Sequence, residues 1–244
     1  MHTTCSDGFS SPERLAGHLL GLGLDVVAVT DHDTLEGSWR VREALAGSGP
    51  EVVIGEEVSS GQGHVLALFI EQRVRPGMPA AKTIDAIHEQ GGLAIAAHPM
   101  SFTWAPGKAF FVGVGDLAWQ LPFDAVELVN GAPGLEIANR RAMSHHRGSR
   151  IPAVGGSDAH VIWAVGHAHT RFPGRTGAAL RKAILGGTVT PAINRVGQLV
   201  TAPISLTWLL GRQALRRGGG PGFLAPRLAW EPYRHDAAEL GDPA

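Results

Sequence analysis

Short apolar runs recur along the chain, each ending in polar or charged residues. Asp25 to Thr30, Val52 to Ile54, Val65 to Ile70, Leu93 to Ala97, Ala125 to Val129 and Pro152 to Val154 are mostly rich in valine or isoleucine and apolar at consecutive positions. Such runs predict short strands buried on both faces, as in a parallel sheet. Segments with the length and composition of helices lie between several of them, at Gly37 to Ala46, Ala80 to Gln90 and Gly134 to Arg147, and Thr176 to Leu185 closes the series. Ahead of the first strand, Ser11, Pro12 and Glu13 form a helix start: a capping hydroxyl, a proline at the first helical position and an acid at the positive helix end. Leu15, Leu19 and Leu22 then mark one face, and Gly21 and Gly23 stop the helix. Strands alternating with helices around one core predict an α/β domain, and at 244 residues its natural closed form is a β/α barrel.

Polar residues cluster where these strands end. VVAVT runs into Asp31-His32-Asp33, VVIG into Glu56-Glu57, AIAA into His98, AVELV into Asn130, and PAVGGS into Asp158-Ala159-His160. In an α/β barrel all those ends open on one face, so separate strands deliver carboxylates and imidazoles to one basin. Carboxylates packed together without a cation repel and titrate upward. A divalent cluster relieves the repulsion, and a mixed histidine and carboxylate shell suits zinc, manganese or iron better than calcium or magnesium. Each piece alone has an ordinary structural reading: Asp-His-Asp as a capping turn, His98 as a buried imidazole bonded to backbone, His64 as surface, and one of Glu56 and Glu57 pointing away. Their recurrence at equivalent strand ends is what points to a site.

Composition narrows the function classes. Hydrophobic residues at 44% against 18% charged exclude disorder through charge excess, and a formal charge of −1 gives no support to nucleic-acid binding through bulk charge. Twelve histidines against a single tyrosine make imidazole the side chain to follow. Cys5 stands alone, which excludes disulfides within the chain and a cysteine-rich zinc site. With no export signal in MHTTCSDGFS, the expectation is a cytoplasmic protein. The longest uncharged stretch, Val196 to Gly211, is shorter than the roughly 20 residues that span a bilayer. It reads as an element packed on the core in preference to an interfacial helix. Gly218 to Gly222 reads as a linker, giving a catalytic unit over residues 1–195 and a C-terminal segment over 196–244, packed on it or partly disordered.

The ordered set His2 with Ser6-Asp7-Gly8, Thr30-Asp31-His32-Asp33-Thr34, Gly55-x-Glu57-Val58-Ser59, His64-Val65-Leu66, His98-Pro99 and Gly156-Ser157-Asp158-Ala159-His160 resembles the PHP family, named for polymerase and histidinol phosphatase. The likeness runs from residue 1 to about Ile193. It implies a distorted seven-stranded β/α barrel holding two or three metal ions, with His2, Asp7, His32, Glu57, His64, His98, Asp158 and His160 as ligands. The TDHDT and SDG forms are similar to those of phosphoesterases acting on small phosphorylated metabolites or nucleotide ends. The family's first motif is His-x-His on the opening strand, and His2 matches only its second histidine. The expectation is therefore that the natural start lies several residues upstream and restores a strand ending His-Met-His.

The expected reaction is hydrolysis of a small phosphorylated metabolite or nucleotide by a metal-bridged hydroxide. Its alternatives are an exonuclease acting on nucleic-acid ends, with short oligonucleotides as partners, and a catalytically silent metal-stabilised binding module. Asp31 or Asp33 is expected to orient His32 through its second nitrogen. His160, His98 or a metal-bound water is expected to protonate the leaving group. Lys108, Arg140 and Arg171 are candidates for the substrate phosphate, and Met100 to Leu121 is either a cover over the site or a structural excursion.

Overall fold

A computed structural model describes residues 1–105 and 108–194 of the chain, without the side chains of 103–111. The segments Val196 to Gly211, Gly218 to Gly222 and the tail lie outside the described residues. The first helix, α1 (Pro12–Leu19), is capped as expected, the Ser11 hydroxyl accepting from the Arg14 amide at 3.3 Å. Leu15 and Leu19 are buried, whereas Leu22 lies beyond the helix end and is 36% exposed, so the buried face is one turn shorter than its leucines suggest.

The strands are β1 (Val26–Val29), β2 (Glu51–Ser60), β3 (Gly63–Leu68), β4 (Leu93–Ala96), β5 (Phe102–Ala105), β6 (Lys108–Phe111), β7 (Ala125–Asn130), β8 (Ala153–Gly156), β9 (Ala168–Arg171) and β10 (Thr190–Ile193). Helices α2 (Glu36–Leu45), α3 (Ala80–Glu89), α4 (Glu136–His145) and α5 (Gly177–Leu185) lie between them. The main sheet is curled and six-stranded, in the order β1-β2-β3-β4-β7-β8. It is parallel at β1/β2, β4/β7 and β7/β8, but antiparallel at β2/β3 and β3/β4. The expected parallel sheet is therefore mixed. Consecutive apolar residues report burial on both faces and say nothing of direction. The Gly61-Gln62 connection between β2 and β3 settles direction, being far too short for a crossover.

The seven-stranded barrel is not confirmed, because a seventh strand joining β1 to β8 is absent among the described residues. At the rim, Met1 and His2 bridge the two edges: the Thr30 amide donates to the Met1 carbonyl and the His2 amide to the Ala159 carbonyl, both at 2.9 Å. Beneath them lies a cavity of about 440 Å³ whose walls include Ala28, Leu66, Ile95, Val154 and Phe172, and which reaches Glu57, His98 and Asp158.

Three apolar clusters hold the sheet. Leu15, Leu19, Val29, Val41 and Leu45 join α1 and α2 to β1; Val65, Ile84, Ile87 and Ala94 belong to the cluster that packs α3 against β3 and β4; Val53, Ile95, Val154 and Ile184 seat α5 inside the curl. The 100–121 segment is an excursion, formed by the β5/β6 hairpin and a 3₁₀ turn at Gly115–Trp119. Its return leg is held against the start of β3, the His64 amide donating to the Val112 carbonyl at 3.0 Å. Gly63 (φ +142°) and Gly113 both lie there, where a Cβ on either would run into backbone, so glycine permits the close approach that sets His64 in place.

Candidate metal centre

The loop from His2 to Gly8 carries the first two candidate ligands. It is tight: a Cβ on Gly8 would collide with the His2 carbonyl. Asp31, fully buried, holds this loop, accepting from the Thr3 amide at 2.6 Å, the Thr3 hydroxyl at 2.7 Å and the Ser6 hydroxyl at 2.6 Å. Asp33 (φ +54°) accepts from the Ser59 amide at 2.8 Å and so ties the end of β1 to β2. Both aspartates expected to orient His32 thus have their recorded hydrogen bonds with other partners. Between them, His32 bridges in parallel register to Glu57, with the Glu57 amide donating to the Asp31 carbonyl at 3.1 Å.

Glu57 lies inside the ten-residue β2, not beyond a strand end as the short VVIG run suggests. Its carboxylate is 2.6 Å from His64 Nδ1, 3.0 Å from His98 Nε2 and 3.3 Å from His2 Nε2. Asp158 Oδ1 stands 3.0 Å from His2 Nε2, while Asp7 stands 3.2 Å from His160 Nε2 and 3.4 Å from His2 Nδ1. The other nitrogen of His160 lies 3.0 Å from the Asp158 carbonyl, which only accepts, so Nδ1 carries the proton and Nε2 faces Asp7. His98 Nδ1 is held by the Ser101 hydroxyl at 2.8 Å. Imidazoles stack in sequence, with ring centroids 4.3 Å apart for His2 and His160 and 4.8 Å for His2 and His32.

All eight expected ligands therefore meet at one rim. Donor atoms gather as His2, Asp7, His32 and His160; as His32, Glu57 and His64; and as His2, Glu57 and Asp158, each set within 4.8 Å. His98 joins through Glu57. His2, His32 and Glu57 are shared between sets, so the three sites are contiguous. Among the described residues, buried His2 Nδ1 and His64 Nδ1 make no hydrogen bond of good geometry although carboxylate oxygens lie 3.4 and 2.6 Å away. These donor atoms converge without pairing in line, a geometry that fits cations held between them.

The electrostatics tell the same story. Burial pulls the His2 imidazole down, but its hydrogen bonds to Asp158 and Glu57 outweigh this and raise it to about 10. Burial likewise lowers His98, yet Glu57 carries it up to about 9. His32 is pushed down to about 4, chiefly by burial. Burial would raise Asp7, Glu57 and Asp158, but the facing histidines hold all three well below the usual carboxylate range. The imidazoles neutralise carboxylates that would otherwise repel.

The candidates for the substrate phosphate have different fates. Arg140 is exposed on α4 and bonds the Glu136 carbonyl; Arg171, at the exposed end of β9, lines the cavity that reaches Glu57, His98 and Asp158; the Lys108 side chain lies outside the described residues. His145 ends α4 and faces Asp116 at 3.4 Å. Glu127 escaped the sequence reading, although a lone acid inside the apolar AVELV run was its signal. It is buried beneath the ligands and accepts from the His98 amide and the Asn130 side chain, both at 2.9 Å.

The chain belongs to the PHP domain family. Residues 136–189 match the family described as PHP-associated. The chain is 33% identical over 138 residues to the uncharacterized protein MJ1587 of Methanocaldococcus jannaschii, covering 57% of this chain and 77% of that one. It is 35% identical over 83 residues to a 5'-3' exoribonuclease of Haemophilus influenzae, covering 32% and 30% respectively. Its fold is similar to that of a two-domain Bacteroides vulgatus protein containing a predicted PHP-like metal-dependent phosphoesterase, with a TM-score of 0.61 and 17% identity over 79% of this chain and 63% of that one.

Proposed function

We propose that this chain is a metal-dependent phosphoesterase that hydrolyses a small phosphorylated metabolite or nucleotide. The observation carrying this reading is the set of three contiguous donor groups sharing His2, His32 and Glu57. His2, Asp7, His32, Glu57, His64, His98, Asp158 and His160 would hold two or three divalent ions, with manganese, zinc or iron suited to the mixed shell. Adjacent divalent ions supply activated water and a clamp on phosphate oxygens for an in-line displacement.

The chain's own residues divide the labour. His2, Glu57 and His98 form the buried floor, with side chains 1–6% exposed. His32, His64 and His160, at 25, 21 and 19%, form the rim that a substrate reaches. Asp31 and Asp33 serve as clamps on the ligand-bearing segments. His160 Nε2 faces Asp7 as a candidate ligand, so a water held at this rim would give the leaving group its proton.

An exonuclease acting on short oligonucleotide ends is the second reading, favoured by the segment similar to the exoribonuclease. Chain reconstituted with manganese and assayed against phosphorylated metabolites, a generic phosphodiester and 5'-phosphorylated oligonucleotides separates the two. Turnover lost with chelator and in Asp158→Ala supports a phosphoesterase, and the preferred substrate decides its branch. Full manganese loading with no turnover would instead identify a silent binding module.

A further inference from the structure

Glu127 sits mid-strand in β7, 4% exposed, and its carboxylate accepts from the His98 amide and from the side chain of Asn130, which itself reaches Asp158. Oε2 accepts from the His98 amide and from Asn130 Nδ2, each at 2.9 Å. The orientation of that side-chain amide is set independently. Asn130 Oδ1 accepts from the Ala132 amide at 2.8 Å, and Asn139 grips the Asn130 backbone at both its amide and its carbonyl, at 3.0 and 2.9 Å. Nδ2 therefore turns inward, with one hydrogen for Glu127 and the other for Asp158 Oδ2 at 3.3 Å. One amide thus bridges two carboxylates that would otherwise repel.

Both ends of this chain of contacts are left-handed. His98 has φ +28° and Asp158 φ +46°, conformations that non-glycine residues hold only when their surroundings enforce them. β8 leaves room for the acid, since a Cβ on Gly156 would run into Glu127 Oε1.

We propose that Glu127 is a positioning residue of the metal centre: through the His98 amide and the Asn130 side chain it fixes the His98 imidazole and the Asp158 carboxylate in the geometry that receives the ions. This rests on the reading of the cluster as a metal centre. Carboxylates behind ligands commonly have this role, and their loss weakens metal binding about 10- to 100-fold.

The test is manganese binding to the full chain, by calorimetry and by electron paramagnetic resonance, in wild type, Glu127→Gln, Asn130→Ala and the double variant, with melting of each in chelator. Glutamine preserves volume and one acceptor. The metal-free Glu127→Gln protein is therefore expected to melt close to wild type, yet to bind manganese about 10- to 100-fold more weakly. Asn130→Ala is expected to weaken binding likewise, and keeps the test open should Glu127→Gln not fold. The double variant is expected to lose less than the product of the single losses, because both residues act along one chain of contacts. Wild-type affinity in either single variant, or losses that multiply, would overturn the proposal and leave Glu127 an ordinary core acid. No manganese binding in wild type would overturn the metal-centre reading itself.

Discussion

Glu56 and Glu57 are neighbours on β2 and both are buried, but they face opposite sides of the sheet and meet opposite fates. Glu57 faces His2, His64 and His98 and is held well below the usual carboxylate range. Glu56 meets the Val74 amide at 2.6 Å, has no hydrogen-bond partner for Oε2 among the described residues, and is raised by burial to about 7. Desolvation acts on both in the same direction; the facing groups decide the sign. A buried carboxylate marks a cation site when imidazoles converge on it, and otherwise a strained piece of the core.

The largest effect is expected from Glu57→Gln, which removes an oxygen ligand shared by two donor sets. Manganese affinity measured by calorimetry should fall at least about 100-fold, beyond the range for outer-shell partners. Unchanged binding would break the contrast with Glu56.

Stripping divalent ions comes next. An ion present at 100 times its dissociation constant contributes about 2.7 kcal/mol of stability. Chelator should accordingly lower the melting temperature by roughly 5–10 °C. The shift should shrink markedly in Glu57→Gln, which leaves only the His2, Asp7, His32 and His160 set intact, and persist in full in Glu56→Gln.

Glu56→Gln probes the other face through pH. The folded-state value of about 7 lies above the ordinary 4.5, so between them the folded protein binds more protons than the unfolded chain. This group's contribution to stability therefore falls as pH rises from 4.5 through about 7 and is level beyond. Glutamine removes that slope. Urea denaturation at pH 8 should show the variant more stable than wild type by about 1–3 kcal/mol, with the difference shrinking at pH 5. An equal difference at both pH values would show that burial of this carboxylate carries no titration penalty.

The smallest effect is proton release on metal binding. Without ions, His2 and His98 are held protonated with values raised to about 10 and 9, and only neutral imidazole ligates. Binding at pH 7.5 should release about one to two protons and tighten as pH rises toward those values. Calorimetry in buffers of different ionisation enthalpy reads the number directly, and an enthalpy independent of buffer would contradict it.

Much of the centre was legible along the chain. Asp31 to Asp33, His98 and Asp158 to His160 follow apolar runs, and topology sends such ends to one face. Glu57 was legible by motif but misplaced by strand length, since the polar residues of β2 gave no sign that pairing continued to Ser60. The direction of β3 was written in the short Gly61-Gln62 connection, yet hidden from a reading based on burial. Asp31 and Asp33 illustrate a harder limit: a carboxylate beside a ligand in sequence reads as its orienter, while Thr3, Ser6 and Ser59 arrive from distant segments to claim it.

What the sequence determined by itself was the inventory and its order: which imidazoles and acids exist, and which apolar run carries each toward the rim. Local rules suffice for this, because strand formation and burial depend on neighbouring residues. Only the tertiary structure decided which face of β2 each glutamate takes, which carboxylates face the converging imidazoles and which clamp neighbouring segments, and that Glu127 and Asn130 stand behind His98 and Asp158. Those outcomes are set by groups tens of residues apart brought within 3 Å, where hydrogen-bond direction and desolvation act over distances that no local pattern encodes.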